Sequence, residues 1–509
     1  MRPVHLVPAG VVLAALGVIA SIAQFTGPAA PGPGHAAMVP RQVAVTSAAR
    51  ACPPVQGGGS GQVAFIAGSA RSAGSAGSAA VSPSGSGQAE LTALPLAGDQ
   101  LRALNPISQT EPGTPALLTT PAAQNAGNTQ SGGNTQSAGK KAATPLQGWS
   151  VTASGTMAQA MEAEEATSAG LGSVRCGEPG SDIWFAGPGQ QGGAAQIQLD
   201  LMNIDALPAS VDVSVITDAG LVQTGADTGI TVPPHQTVTE SLSSLAAGAS
   251  VVSIEVRTSI GRVAADVSES PAHGGTATWL PSTATPSTRL VIPGVPPSGS
   301  PAGLYIVVPG SANARVGVLA ITAQGQHQPF GTQPVDLPAD SASYVPLTPL
   351  GGTAALELTA NVPIAAAVLV PGSGLGAVTA ATAPISEQAV VAGNTTGSGL
   401  GVTLALSAPA GPARVRLTEL AATPGATSSQ VVTVRAGHTL TVPATLPKGA
   451  KHGSEFAVVI TPLPGSGPVY AARVETQGQS TVVSIMPAIS ALTTLTLPPV
   501  RDSYDAISP

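Results

Sequence analysis

Hydrophobic and polar residues alternate in short runs along much of this chain. Residues 197–202 (IQLDLM) place apolar side chains on one side of an extended segment and polar ones on the other, and residues 211–215 repeat the pattern. Residues 250–257 and 261–267 read as the two arms of a hairpin around Ser259. Alternation with a period of two predicts half-buried strands. We therefore expect antiparallel sheets with one face in solvent.

One stretch of this kind occurs four times, most clearly at residues 254–293. It reads as strand, turn, small-residue strand, glycine-rich turn, strand, proline-bounded loop and strand. The copies are anchored on Ala158, Ala264, Ala365 and Ala471, which lie 106, 101 and 106 residues apart. A second apolar run follows each anchor by about 26 residues, at 183–185, 290–292, 389–391 and 495–497. Such a period indicates tandem domains or paired propeller blades.

The repeat divides the chain into modules of about a hundred residues, each with about seven short strands. We predict an irregular first module and three regular ones, at residues 52–187, 188–286, 287–385 and 386–499. The fold class is then all-β, with tandem immunoglobulin-like or fibronectin-like β-sandwiches. A core of cysteine, tryptophan and cysteine is missing, so these are not true immunoglobulin domains. A β-propeller with two short blades per repeat is the alternative.

The segments around the modules have their own signatures. Residues 6–25 are uncharged and long enough to span a bilayer, so residues 1–25 are predicted to be a retained anchor. A cleaved signal peptide is the alternative, because residues 21–23 (SIA) offer small residues for cleavage. Either way the rest of the chain is expected outside the cytoplasm. Residues 26–51 read as a flexible linker, 110–144 as a low-complexity insertion and 500–509 as a tail.

Composition agrees with a strand-rich chain and excludes one class of partner. Charged residues make up 9% and aromatic residues 2%, with 61 glycines and 48 prolines among 509 residues. The net charge is −7 and the basic residues are scattered, so we expect no nucleic-acid partner. The two cysteines, Cys52 and Cys176, would most simply pair with each other in an exported protein. Two unrelated buried thiols are the alternative.

A search for chemistry finds no convincing site. None of the histidines stands at a metal-ligand spacing; they are His5, His35, His235, His273, His327, His438 and His452. The aspartates between residues 200 and 218 lack the spacing of a calcium loop, and two of them fall on strand faces expected to be wet. There is no nucleophile elbow, and the two GSGLG pentapeptides precede strands rather than a helix. We expect no catalytic residue, no cofactor and no metal.

Tryptophan offers the one candidate for ligand binding. Trp184 begins an apolar run and is expected in a core, whereas Trp279 follows alternating threonines and suits an exposed platform. Sugars stack on such exposed aromatic rings, so Trp279 is the residue that we would test for binding to a glycan.

Residues 174–189 (VRCGEPGSDIWFAGPG) and 261–267 (GRVAADV) resemble an uncharacterised family of actinobacterial envelope proteins, a domain of unknown function. Its members resemble this chain in having a single N-terminal span, a large β region and an early Cys-Pro pair, matched here by Cys52-Pro53. The resemblance implies a membrane-associated actinobacterial protein whose gene often lies near that of a membrane glycosyltransferase. It brings no catalytic residues.

From these patterns we expect a non-enzymatic, membrane-anchored scaffold or interaction protein of the cell envelope. Its partners would be the membrane, through the N-terminal helix, and envelope proteins. A binding protein for cell-wall glycans is the alternative, in which glycans would be the partner.

Overall fold

The computed structural model describes most of the chain as β-structure. The described residues are 41–54, 61–68, 87–96, 107–119, 147–167, 172–222, 228–271, 277–298, 300–329, 334–372, 374–396, 399–423, 425–478 and 481–497. They contain antiparallel sheets and two short 3-10 helices, Gly155–Ala158 and Gln190–Gly192, but no α-helix, which confirms the all-β prediction. None of these residues forms a helix long and apolar enough to cross a membrane. The predicted anchor, residues 1–25, and tail, residues 500–509, lie outside the described residues.

The chain separates into two compact units. The smaller unit comprises Met1–Val43 and Leu495–Pro509, and the larger comprises Ala44–Thr494. The first described strand, β1 (Arg41–Ala44), forms a two-stranded sheet with the last described strand, Thr494–Leu497. The larger unit contains four modules, each made of two sheets. We call the sheet with the module's first strand sheet A and the other sheet B.

The first module has eight strands, four in each sheet. They are β2 (Ser47–Cys52), β3 (Gly61–Ile66), β4 (Ala89–Pro95), β5 (Ile107–Gln109), β6 (Ala116–Thr119), β7 (Gln147–Ser154), β8 (Glu162–Thr167) and β9 (Ser173–Arg175). Sheet A has the order β2-β7-β4-β5 and sheet B has β6-β3-β8-β9.

Two predictions about this module are corrected. Residues 41–51, assigned to the linker, contain β1 and most of β2, and the insertion assigned to 110–144 contains β6. In β2, small residues (SAARAC) pair with β7 along the whole strand. A strand of small residues that is buried in a sheet has the same composition as a flexible linker, so composition alone misassigned it.

The second module begins earlier than predicted. Its strands are β10 (Asp182–Pro188), β11 (Ala194–Asn203), β12 (Ala209–Thr217), β13 (Gly220–Val222), β14 (Ile230–Val232), β15 (Gln236–Ser241), β16 (Val251–Ile260), β17 (Ala264–Pro271) and β18 (Thr278–Leu280). Sheet A has the order β10-β16-β12-β13, with β14 also on β12, and sheet B has β15-β11-β17-β18. Because β10 pairs with β16, residues 182–187 belong here and not to the first module. Turns flank β10 on both sides, so turn residues alone do not assign this strand to one module or the other.

The third module shares one long strand between its two sheets. Its strands are β19 (Ser287–Val295), β20 (Gly303–Val308), β21 (Ala314–Thr322), β22 (Gly325–His327), β23 (Val335–Leu337), β24 (Ser341–Pro346), β25 (Ala354–Val370) and β26 (Ala377–Ala380). The first half of β25 pairs with β19 and β21, and its second half pairs with β20 and β26. The two halves thus occupy the places of β16 and β17 in the second module.

The fourth module repeats the arrangement with separate strands. They are β27 (Ala389–Asn394), β28 (Leu400–Ala408), β29 (Ala413–Ala421), β30 (Thr427–Val434), β31 (His438–Pro443), β32 (Phe456–Pro462), β33 (Tyr470–Gln477) and β34 (Thr481–Ala488), and the chain's last described strand is β35 (Thr494–Leu497). Sheet A has the order β27-β32-β29-β30 and sheet B has β31-β28-β33-β34.

All four modules are therefore β-sandwiches with one topology, in which the chain crosses repeatedly between sheets A and B. The predicted hairpin of residues 250–267 is wrong, because β16 lies in sheet A and β17 in sheet B. A bend in the chain and a crossing between sheets give the same turn signal in the sequence. The propeller alternative fails for the same reason, since propeller blades are single sheets of four strands.

The four sandwiches form a closed ring within the larger unit, because sheet A of each module packs on sheet B of the next. Buried clusters mark each junction, and each combines residues of two modules. They are Ala51 and Leu94 with Met202 and Ala264; Trp184 and Ala186 with Val307 and Ala367; Val295 and Leu356 with Ala472 and Val474; and Val390 and Ala392 with Ala64 and Ile66. The fourth module thus closes on the first.

Ring closure buries both faces of the strands at the junctions, so the prediction of one wet face is wrong there, whereas strands such as β15 and β30 keep an exposed face. In β20 all six residues are buried, and so are the last seven of β25. The alternation seen in the sequence often separates larger apolar residues, which fill a sandwich, from small or polar residues that face the next module. Leu199 and Leu201, for example, lie in the sandwich core, whereas Asp200 is fully buried on the opposite face.

The predicted disulfide is confirmed. Cys52, at the end of β2, is bonded to Cys176, which follows β9, and both residues are fully buried. The bond joins the two sheets of the first module across a sequence separation of 124 residues. Ala51 also donates its N–H to the carbonyl oxygen of Gly177 at 2.9 Å, so the backbone supports the same connection.

The ring requires close approach at the junction of the third and fourth modules. A Cβ added at Gly294 (φ +72°) would lie 2.3 Å from the Cβ of Ala472, whereas one at Gly351 (φ +74°) would meet nothing within 4 Å. Both replacements by alanine incur the strain of a positive φ, roughly 1 kcal/mol. We expect overpacking to lower the free energy of unfolding of Gly294→Ala by roughly a further 1–3 kcal/mol. Denaturant unfolding of the two variants tests this, and equal losses would contradict the close approach.

Candidate functional site

One strand from each module meets at the centre of the ring. These strands are β9, β18, β26 and β34, each the last strand of sheet B. Between them lies a small cleft, here called the axial cleft, lined by Gly172, Ser173, Ala277, Thr278, Trp279, Gly376, Ala377, Val378, Val483, Ser484 and Ile485. Its volume is about 30 Å³, room for about one or two water molecules. It is the place where all four modules contribute to one surface.

Hydroxyl groups around the axial cleft join neighbouring modules. Thr278 donates from Oγ1 to the carbonyl oxygen of Gly376 at 2.8 Å, which links the second module to the third. The hydroxyls of Ser173 and Ser484 are 3.1 Å apart and link the first module to the fourth. These polar groups hold the centre of the ring together.

The structure places Trp279 in the wall of the axial cleft. Its ring is half-buried on β18, opposite Ser268 of β17. This position differs from the fully exposed platform expected from the sequence, because β18 lies at the ring's centre and not at its rim. Whether Trp279 binds a ligand stays a prediction. Trp184 is 4% exposed, as expected for a core residue, and its Nε1 donates to Asp182 at 2.8 Å.

Strand register identifies equivalent positions across the four modules. An inward-facing alanine on β8, β17, β25 and β33 lies opposite a large apolar residue of the adjacent strand; the pairs are Ala163–Phe65, Ala265–Leu201, Ala366–Ile306 and Ala471–Leu406. Two residues further on, the equivalent side chains are Glu165, Val267, Val368 and Arg473. The residues immediately before these, facing the preceding module, are Glu164, Asp266, Ala367 and Ala472. Charge thus occurs at these positions in some modules and not in others.

The junction from the fourth module to the first contains a buried ion pair. Arg473 is fully buried, and its Nη2 contacts Glu164, which is 2% exposed. The same guanidinium donates to the carbonyl oxygen of Gly393 at 3.2 Å and to the hydroxyl of Ser173. Gly393 in turn donates its N–H to Glu164 at 3.1 Å. Arg473 therefore connects β33 and β27 of the fourth module with β8 and β9 of the first.

The surroundings of Arg473 keep it charged. Burial by itself lowers its pKa, but Glu164 and Glu475 outweigh that effect and raise it. Burial raises the pKa of Glu455 to about 7; Glu164 and Glu475 also raise it, and Arg473 opposes them. Burial likewise raises the pKa of Glu475, although Arg473 lowers it. The guanidinium of Arg473 thus interacts electrostatically with three carboxyl groups, those of Glu164, Glu455 and Glu475.

The junction from the first module to the second contains carboxyl groups without such a cation. Asp200 and Asp266 lie directly opposite each other on β11 and β17 and face the first module, where Glu165 approaches them. All three are at most 5% exposed. Thr239 donates to Asp200 at 2.6 Å, but among the described residues neither oxygen of Glu165 has a hydrogen-bond partner, nor has Oδ2 of Asp266.

Burial shifts two of these groups, Glu165 and Asp266, toward their protonated forms. Burial raises the pKa of Glu165 well above its ordinary range, and Asp200 raises it further. Burial also raises the pKa of Asp266, with added contributions from Asp200 and Glu165, while Arg175 acts in the opposite direction. Arg175 itself contacts Glu162, which is also 3.5 Å from Arg50.

A fourth carboxyl group is buried near the junction of the second and third modules. Glu269 on β17 is fully buried, and burial raises its pKa well above the usual range. Its charge also contributes to a raised pKa of Tyr305 in the third module, although burial is the main cause there. The ring of Tyr305 packs against that of Tyr344 with centroids 5.5 Å apart.

The geometry does not assemble the parts of a catalytic centre from the described residues. No group of three or more His, Cys, Asp or Glu side chains in the described segments is arranged to hold a metal ion. His438, at the start of β31, bonds through Nδ1 to the carbonyl oxygen of Ala436 at 2.7 Å. The hydroxyl of Ser173 accepts from an arginine, which cannot act as a base. His5, His35 and His273 lie outside the described residues.

Sequence reasoning missed Arg473 and the buried acidic residues. Residues 162–165 (EAEE) are rich in acidic side chains that usually face water, yet in β8 all four are buried. Asp200 was expected on a wet face and is buried by the neighbouring module. The available signal was the alignment of repeats: alanine or valine at the equivalent positions of other modules indicates a buried site where a charge needs a partner.

Comparison with known proteins identifies a family. A model of a family of unknown function, DUF5719, matches residues 132–445. No curated protein and no solved structure matches the sequence.

The ion pair at the closing junction gives a prediction. Arg473→Met removes the cation and leaves Glu164 buried and unpaired, which should lower the free energy of unfolding by roughly 3–5 kcal/mol. Adding Glu164→Gln should restore much of that loss, since the uncompensated charge is then gone. Denaturant unfolding of the single and double variants measures the coupling. Additive losses would contradict a direct interaction between the two side chains.

Proposed function

We propose that this chain, which belongs to the family of unknown function DUF5719 because the family model spans more than half of it, is a membrane-anchored scaffold or interaction protein outside the cytoplasm. The supporting observation is the closed ring. Each module packs both of its sheets against neighbouring modules, so most of the apolar surface of the sheets is buried within the ring. The outer rim of strands and turns then remains as a broad surface for other molecules.

Two further features support the compartment. The buried bond between Cys52 and Cys176 suits an oxidising environment outside the cytoplasm. Residues 6–25 of the sequence are long and apolar enough to anchor the chain. The family resemblance found in the sequence points to the envelope of an actinobacterium, and we place the protein there.

The rim of the second module is the first place to look for a partner. Leu207 and Ile260 are 76% and 66% exposed, the highest values among the large apolar residues of the described segments. They are close in the fold, because Ile260 lies opposite Ser210 and Leu207 is in the turn that precedes β12. Exposed apolar residues that cluster often mark contacts with other proteins.

Photo-crosslinking in intact membranes tests the scaffold function. A photoreactive residue at Leu207 or Ile260 should yield a discrete adduct with another envelope protein, whereas one at Val431, 49% exposed on the fourth module, serves as a matched position elsewhere. Deleting residues 1–25 should release the protein from membranes and abolish the adduct. A protein found in the cytoplasm with free thiols, or one that yields no adduct at any position, would refute the proposal.

Binding of cell-wall glycans is the second candidate, and it depends on Trp279. The half-buried ring in the axial cleft is the observation that favours it. Aromatic contacts are worth about 0.5–1.5 kcal/mol beyond area burial, so loss of the ring should weaken binding severalfold to about tenfold.

A pull-down on insoluble cell-wall glycan separates the two candidates. If Trp279 is the platform, Trp279→Ala should elute early while Trp279→Phe, which keeps an aromatic face, stays bound. Equal retention of both variants and the unmodified protein would exclude Trp279 as the platform.

A further inference from the structure

We propose that the junction between the first and second modules is a proton-controlled joint, closed when Glu165 and Asp266 carry protons and loosened when they ionise. This inference does not depend on the proposed scaffold function. It rests on an arrangement of carboxyl groups at an interface, on the contrast with the other three junctions, and on the burial of the groups concerned.

The first argument is the geometry of the junction. Asp200 and Asp266 are direct partners across β11 and β17, and Glu165 meets them from β8 of the other module. The surface around them is apolar, formed by Ala51, Leu94, Met202 and Ala264. Two ionised carboxylates in such surroundings repel each other and lose their hydration. Closing the junction therefore favours protonation, and ionisation favours opening.

The charges on neighbouring elements relieve this repulsion only in part. Arg175 on β9 is the cation that acts on Asp266, but its guanidinium is bonded to Glu162. Arg50 on β2 lies 3.5 Å from Glu162 and 3.4 Å from Glu178. Thr239 on β15 and Gln198 on β11 donate to Asp200 and hold that carboxylate. Glu165 has no corresponding donor among the described residues.

The second argument comes from the repeat itself. At the closing junction the equivalent positions carry Arg473 and Glu164, which attract each other. At the other two junctions they carry Val267 with Ala367, and Val368 with Ala472, and are apolar. The first-to-second junction alone among the four brings like charges together at these positions. Its stability should consequently depend on pH in a way that the others do not share.

The sign of the effect follows from the direction of the pKa shifts. The pKa values of Glu165 and Asp266 are raised in the closed ring, so the closed state binds more protons than the open or unfolded state. Stability then falls as pH rises from about 4, the ordinary range of a carboxyl group, toward the raised values. Below that window the junction keeps its full strength.

Hydrogen exchange of the full-length protein at pH 5 and pH 8 tests the proposal. After correction for the intrinsic rates, protection of peptides from β2 and β11 should fall about tenfold or more at pH 8, which corresponds to one pKa unit. Peptides from β21 and β28, at the third-to-fourth junction, should change little. A loss of protection that is equal at both junctions, or absent at the first, would overturn the proposal.

Variants copied from the repeat provide the matched test. The double variant Glu165→Val with Asp266→Ala has the residue types of the apolar junctions. Its hydrogen-exchange protection at the first-to-second junction should be the same at pH 8 as at pH 5. Glu111→Gln removes an exposed carboxylate from the same module and should behave like the unmodified protein. If the double variant still loses protection at pH 8, these carboxyl groups are not the cause. If the double variant does not fold, Glu165→Gln, which is a smaller change, is measured in its place.

Discussion

The structure depends on packing sheets on both of their faces. Each sandwich fills its interior with larger apolar residues, while its outer faces must approach the neighbouring modules closely enough to close a ring. Small residues make that approach possible, as where Gly294 lies against Ala472. The unusual composition follows: there is little water-exposed sheet to carry charge and little space between sheets for aromatic rings. Eight sheets in a ring thus explain why aromatic residues are so few.

Within this uniform ring the first module is the exception. Both of its junctions contain buried ionisable residues, whereas the other two junctions have apolar residues at the equivalent positions. The pair of Arg473 and Glu164 is costly to desolvate, and pairs of this kind are better suited to specifying one arrangement than to adding stability. At the equivalent positions only the fourth module has an arginine, whereas carboxyl groups face the preceding module in the first and second modules, as Glu164 and Asp266, so Arg473 distinguishes these two partners from the apolar faces of the third and fourth modules.

Much of the fold could be predicted from the sequence, and the reasons for the remainder are physical. Periodicity and turn residues identified the strands, the repeat and the all-β class, and the two cysteines identified the disulfide. The ring itself was not predicted, because a face covered by a neighbouring module and a face covered by water both tolerate small and polar residues. Asp200 illustrates this: its alternation indicated a wet face, and only the neighbouring module shows it to be buried. Trp279 was singled out as a ligand platform, which stays a prediction, and its position at the centre of the ring could be seen only from the topology.

The chain's order of synthesis has a consequence at the closing junction. Ser173 in the first module bonds to Arg473 in the fourth, across 300 residues. At about 5–20 residues per second, the first module waits roughly 15–60 s for its final neighbour. During that interval its sheet B presents an uncovered face with apolar residues such as Ala64 and Ile66, and exposed apolar patches favour association with other chains. Glu164 lies on that face, so the same carboxylate that later receives Arg473 can keep the unfinished surface hydrated and separate from other nascent chains.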